Sequence, residues 1–261
     1  MIEEIYWEEI VEEKLRRELR WLKAYAFLSM LLFAVLIFVA AAGPEKTKFD
    51  QIEVHRINVV EPDGTLRMTI SNNAESPGPV LGGLYMKKRE GTRGAGMIFF
   101  NDQGDECGGM TWSGKKKDGK IAADGGLMFD QFDQDQTVGI NYTQHGDQRA
   151  AGLHVWNRSL TPIGDFARQV NTVEEMKDGP QKTEALKKIR EQAIATGMAG
   201  QERVFVGRMG NNDAVVSLKD TNGKPRILLS VDAQNQPKIQ MLDENGKVVY
   251  SLPAQEAAPH Q

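Results

Sequence analysis

Three aspartates stand within six residues, Asp130, Asp133 and Asp135, with glutamines among them. Carboxylate oxygens at that density are the ligands that a hard cation such as Ca²⁺ takes. Asp102, Asp105 and Glu106 lie on a neighbouring turn segment. The D-x-x-D-x-D spacing departs from the EF-hand loop, which needs D-x-[DN]-x-[DN]-G and a distal glutamate. The tract therefore reads either as a calcium site or as plain turn formers. The same acids offer a second chemistry. Asp102, Asp105, Asp130 or Asp133 would serve a cell-envelope hydrolase as its acid and base.

Basic residues gather in two places: Lys87, Lys88, Arg89 and Arg93, then Lys115, Lys116, Lys117 and Lys120. Converging, the two loops would bind a polyanion or anionic headgroups. Kept apart, they are solvated loops that discourage edge-to-edge pairing. Stacking aromatics are not interleaved with the lysines, which argues against a nucleic-acid groove. The net charge of −4 supplies no global basic field. His55, His145, His154 and His260 show no metal-ligand spacing. His154 alternates with Leu153 and Val155, which places it on the polar side of a strand. Cys107 is the single cysteine, so an intrachain disulfide and a cysteine-rich zinc site are excluded. Its expected role is that of a small apolar filler. No nucleophile elbow, Walker loop or zincin motif occurs. The expectation is a protein that is not an enzyme, with no catalytic residue and no cofactor beyond the candidate calcium.

The elements that must position these residues are strands. Apolar runs recur around turn signals such as Glu61-Pro62-Asp63-Gly64, Asn101-Asp102-Gln103-Gly104, Asp220-Thr221-Asn222-Gly223 and Asp243-Glu244-Asn245-Gly246. Asp-Gly and Asn-Gly supply the positive φ of tight hairpin turns. Leu66, Met68 and Ile70 alternate with Arg67 and Thr69, so one face meets a core and the other meets water. The fold class is mainly β: an antiparallel, hairpin-rich body built as a meander, an open barrel or a sandwich. Glycines at Gly82-Gly83, Gly96, Gly125-Gly126 and Gly152 mark strand starts, bulges or bends. Residues 165–200 break the pattern as a small helical insertion. Thr172 and Glu175 are spaced as a capping box for a first short helix, ended by Asp178-Gly179-Pro180. A second helix runs over 181–196. The insertion divides a β region over 43–164 from C-terminal hairpins over 201–253. It caps a sheet edge or docks a partner. A disordered tail follows over 254–261.

Within the first β region, GMIFFNDQGDECGGMTWSGKKKDGK, GGLMFDQFDQDQTVGI and AGLHVWNR resemble an uncharacterised family of bacterial membrane-anchored, glycine-rich β proteins. The similarity covers roughly Phe49 to Arg158. It implies a bacterial origin, and it brings no assigned activity, cofactor or catalytic residue.

Ala24 to Ala42 contains no Asp, Glu, Lys or Arg. As a helix this run reaches about 28 Å, close to the ~30 Å hydrocarbon core of a bilayer. Lys14, Arg16, Arg17, Arg20 and Lys23 crowd its N-terminal side, and Lys46, Lys48 and Arg56 are sparser beyond it. That bias places the N-terminus in the cytoplasm and the body outside. A cleaved signal peptide ending near Ala40-Ala41-Ala42 competes, but 23 residues precede the apolar run and begin strongly acidic. Residues 1–23 read as a charged cytoplasmic helix and 24–42 as a transmembrane helix of the inner membrane. The expected protein is a single-pass, extracytoplasmic β protein with a binding, scaffolding or structural role. Its partners are the membrane and either further copies of itself or a membrane complex.

Overall fold

The structure is a computed structural model that describes residues 2–41 and 47–253. Ala42 and the tail from 254 onward lie outside the described residues, as does His260. The chain forms two units, one up to Glu53 and one from Val54.

In the first unit α1 (Ile2–Ala41) is one unbroken helix of 40 residues. No glycine or proline occurs before Gly43-Pro44, so nothing in the sequence interrupts it. The stretch Val11–Val39 is long and apolar enough to cross a membrane. Charged and apolar parts share one helix, with no break near residue 23.

The second unit is mainly β. Its strands are β1 (Arg56–Val60), β2 (Leu66–Ser71), β3 (Val80–Leu81), β4 (Leu84–Tyr85), β5 (Ala95–Phe100), β6 (Glu106–Lys117) and β7 (Lys120–Asp130). They continue as β8 (Gln136–His145), β9 (Gln148–Asn157), β10 (Gln201–Arg208), β11 (Ala214–Lys219), β12 (Pro225–Val231), β13 (Pro237–Leu242) and β14 (Val248–Leu252). Helices α2 (Gly164–Glu174) and α3 (Pro180–Ala195) sit between β9 and β10. Twelve strands form one antiparallel sheet in chain order, with β1 and β14 as its edges and β3–β4 as a separate pair. The sheet is open, so of the three architectures expected it is the meander.

One turn chemistry closes most hairpins. In Glu61–Thr65, Asn101–Asp105, Met209–Asp213, Asp220–Lys224, Asp232–Gln236 and Asp243–Lys247 the first N–H donates to the fifth carbonyl. The fourth N–H donates to the first carbonyl. The fourth residue takes positive φ: Gly64, Gly104, Gly223 and Gly246, but Asn212 and Asn235 in the other two. Asp220, Asp232 and Asp243 each use Oδ1 to accept backbone N–H groups two and four residues on. Gly246 has open space around it and a φ of +81°. Replacing it with Ala should cost about 1 kcal/mol in left-handed strain. Gly246→Asn should be close to neutral, because asparagine already fills the equivalent place in two sister turns. Urea unfolding of the three proteins checks this.

The register places the faces. Across the first six strands one row runs Ile57, Ile70, Met97, Met110, Leu127 and Ile140. It continues through Leu153, Val206, Val216, Leu229, Ile239 and Leu252. The next row on the same face begins Val59, Met68, Phe99, Gly108, Phe129 and Val138. It ends Val155, Val204, Leu218, Ile227, Met241 and Tyr250. Neither row holds a charged residue. The opposite, mixed face carries Thr69, Ile98, Gly109, Met128, Gly139 and His154, then Phe205, Ser217, Leu228 and Gln240.

Alternation thus holds as expected, but the burial is inverted. On β2 the mixed-face Thr69 is 0% exposed and the apolar-face Ile70 is 37% exposed. The reason is where the covering elements land. Met86, from the 72–94 segment, is buried. Together with Ile163 and Ala167 at the start of α2 it lines a hollow whose floor is the mixed-face residues Glu106 and Asp130. Among the described residues the strands form one large sheet and the β3–β4 pair, and apolar-face residues from Ile57 to Leu252 stay exposed, so no second sheet layer covers that face there.

One expectation about the insertion is made more specific and one is corrected. β9 pairs with β10 along Asn157↔Gln201 to Ala151↔Arg208, so the insertion interrupts the chain but not the sheet. The capping box does not form. Thr172 lies late in α2, where its hydroxyl donates to the Arg168 carbonyl, and Glu175 is the C-cap. The apolar spacing Ile163, Phe166, Ala167 and Val170 starts the helix earlier, because those side chains reach the hollow. α3 begins at Pro180 as its first-turn residue, close to the expected start.

Candidate functional site

The polar hollow on the mixed face gathers the most perturbed charges among the described residues. It lies over β5–β8, with a volume of about 590 Å³ on the sheet side and about 220 Å³ beneath α2. Arg89, Arg93, Glu106, Asp130 and Gln136 line both parts. Strand bulges shape its floor. The register slips between Phe99 and Phe100 opposite Glu106, and again between Phe129 and Asp130. The first slip leaves Cys107 over on β6 and turns Glu106 onto the mixed face; the second leaves Thr137 over on β8 and brings Gln136 opposite Asp130, which alternation from Met128 already puts on that face.

Arg93 reaches Glu106 with a two-pronged bond, Nη1 to Oε1 at 2.9 Å and Nη2 to Oε2 at 2.7 Å. Both side chains are largely buried. Burial pushes the Glu106 carboxyl up, against the pull of Arg93. Asp130 is pushed much further, to about 8, first by burial and then by the charges of Glu106 and Asp135. Its Oδ1 is buried without a hydrogen-bond partner. Asp130 therefore favours its neutral form near pH 7, beside Glu106 in its two-pronged pair with Arg93. Such a pair can give and take a proton.

A second polar chain crosses the mixed face further along. Lys219 on β11 bonds Glu202 on β10, Glu202 bonds His154 Nδ1 at 2.6 Å, and His154 Nε2 meets Asn141 Oδ1 at 3.2 Å. His154 stacks flat on Trp156, with centroids 5.3 Å apart. Burial opposes ionisation of Glu202, yet the bonds from Lys219 and His154 outweigh it and hold the carboxyl low. The network ties four adjacent strands together.

The acids singled out by sequence part company. Asp130 faces the hollow and Asp135 stands at its rim, 3.9 Å from Arg158. Asp133 takes positive φ in the β7–β8 turn. With Asp105 it lines a neighbouring hollow of about 470 Å³. Asp105 is buried and accepts the Gly83 N–H at 2.8 Å. Asp102 is exposed and pairs with Arg67 at 2.6 Å. Among the described residues, no group of three or more His, Cys, Asp or Glu side chains is placed to hold a metal ion.

The basic runs occupy different elements. Lys87, Lys88 and Arg89 form a 3₁₀ turn, in which Lys88 pairs with Glu175 at 2.9 Å and Arg89 faces the hollow. Arg93 is taken by Glu106. Lys115, Lys116, Lys117 and Lys120 form the exposed tip of the β6–β7 hairpin. Cys107 sits in the β6 bulge, where burial and then the charge of Asp130 push its thiol up. That favours the inert filler over a nucleophile.

Sequence reasoning did not foresee the Arg93–Glu106 and His154–Glu202 pairs. The partners lie 13 and 48 residues apart, and no short-range pattern links them. No protein-family model matches the chain, and no curated protein matches it.

Proposed function

We propose that the protein is a membrane-tethered interaction module whose working surface is the apolar face of its open sheet. One observation carries this reading. Two apolar rows, free of charge, run across all twelve strands and lie partly open to solvent. Residues such as Ile140, Leu229 and Tyr250 are among the exposed ones. Apolar patches of that extent mark interaction sites in soluble domains, and a sheet ordinarily buries such a face under a second layer. α1 acts as the tether. The Lys and Arg bias around it sets the N-terminus in the cytoplasm and the sheet outside, and the bacterial resemblance agrees with an inner-membrane address. The role is binding or scaffolding.

A second reading, a cell-envelope hydrolase, draws on Asp130. Its carboxyl, pushed up by burial and lying in a polar hollow, is the kind of group that acid–base catalysis uses. Asp102 takes no part in that hollow, and Asp105 and Asp133 face another.

An impermeant thiol reagent tests the main reading in a Cys107→Ser background. A cysteine at position 116 should label in spheroplasts before lysis. A cysteine at position 239, on the apolar face, should stay unlabelled until the protein is denatured. Labelling of position 116 only after lysis would reverse the orientation. Rapid labelling of position 239 in the native membrane would remove the apolar face as an occupied surface.

A further inference from the structure

Whatever meets the apolar face must match a long, uncharged surface. Strands about 4.8 Å apart make twelve of them roughly 58 Å wide, and two rows cover roughly 14 Å along the strands. Each copy therefore offers about 800 Å², and two copies facing each other would bury about 1,600 Å², the size of a stable protein interface. Obligate homodimer interfaces resemble a domain core cut in half, and two charge-free rows have that composition. The third row on this face adds Trp112, Tyr142 and Val231, with Arg208 as its one charge. A lipid surface is met through clusters of lysine and arginine, which this face lacks.

We infer that the apolar face is buried against the same face of a second copy of this chain. The inference rests on the proposed role of that face as the working surface. Two such sheets would stack about 10 Å apart as the halves of a sandwich. A self-complementary two-fold contact uses one patch on both subunits, and an axis near the middle of the continuous apolar rows lets the two faces overlap in full. The twist leaves a shallow groove of about 720 Å³ over β10–β14, lined by Val206, Val216, Leu229, Ile239 and Leu252. Side chains of the opposing sheet would fill it. Two chains tethered in one membrane also meet at a raised effective concentration. The mixed face stays free in the pair, so the hollow around Asp130 remains open.

Ile140 lies on β8, at the middle of the sheet, and is 59% exposed. Full-length protein in mild detergent should show twice the chain mass by light scattering. Ile140→Asp should reduce it to the single mass with unchanged circular dichroism. Ile140→Cys in a Cys107→Ser background should give a disulfide-linked dimer on oxidation, a result that does not depend on the Asp variant folding. A single-chain mass for the wild type would overturn the inference, as would a trimer, or a dimer that survives Ile140→Asp through α1. A monomer in detergent combined with protection of position 239 in membranes would overturn the second copy alone. The face would still be an occupied surface.

Discussion

Asp130→Asn should make the protein more stable at pH 7, by about 4 kcal/mol, given 1.36 kcal/mol for each unit by which the pH exceeds the unfolded pKa while the folded group keeps its proton. Burial pushes the folded carboxyl up to about 8, and the unfolded one keeps its ordinary value of 3.8. Between those values the folded state holds a proton that the unfolded state has released. Stability from this group is therefore complete at low pH and falls as pH rises toward 8. Asparagine keeps the shape and the neutral charge, and it removes that dependence. For a body of this size, about 4 kcal/mol is worth roughly 8–16 °C in Tm. Thermal unfolding at pH 5 and pH 8 should show a smaller gap for the variant than for the wild type. A variant no more stable than wild type at pH 7 would refute the assignment. The turn aspartates act in the opposite sense. Backbone bonds from Lys224 and Lys247 hold Asp220 and Asp243 low, and Lys238 does the same for Asp232. Their contribution is present above the ordinary carboxylate range and fades in acid, so the two trends separate on the pH axis. A buried acid that weakens the fold at neutral pH is the kind of group retained for function rather than for stability.

Gly207→Ala should cost about 3 kcal/mol or more, in the range of severe overpacking. Gly207 and Gly152 are register partners on the mixed face of β10 and β9. A Cβ on Gly207 would run into the Ala151 carbonyl oxygen and lie 2.6 Å from the Gly152 Cα, both of them backbone. The two strands would have to separate in the middle of a continuous sheet. At Gly210, in the following turn, a Cβ meets nothing within 4 Å. Gly210→Ala should stay within about 0.5 kcal/mol of wild type or gain slightly from a stiffer unfolded chain. Guanidinium unfolding of both variants gives the comparison, and equal stabilities would show that the close strand approach is not what the glycine serves.

These glycines show where sequence reading stops. Gly96, Gly126 and Gly152 look like punctuation at strand starts, because a local window sees only their missing side chain. Their shared property is a cross-strand row on one face, and that row exists only once twelve strands are in register. The hairpin turns were legible, since Gly64, Gly104, Gly223 and Gly246 carry their φ preference locally. Asn212 and Asn235 do the same work with less signal. Alternation was legible too, but not which side faces water, because Met86, Ile163 and Ala167 arrive from segments outside the sheet. Of the candidate site, Asp130 stood out as one of a cluster. What singles it out from Asp133 and Asp135 is its place on β7 rather than in the turn, and a lid that comes from a distant segment and has no local signature.

The order of the sheet has a kinetic consequence. Every strand of the main sheet pairs with its predecessor in that sheet, so most native contacts close short loops. The 72–94 segment and the 158–200 insertion are the only long closures among the described strands. Low contact order of this kind favours stepwise growth. As a chain emerges N-terminus first, each hairpin can dock onto the edge left by the one before, with β1 as the template and β14 as the last addition.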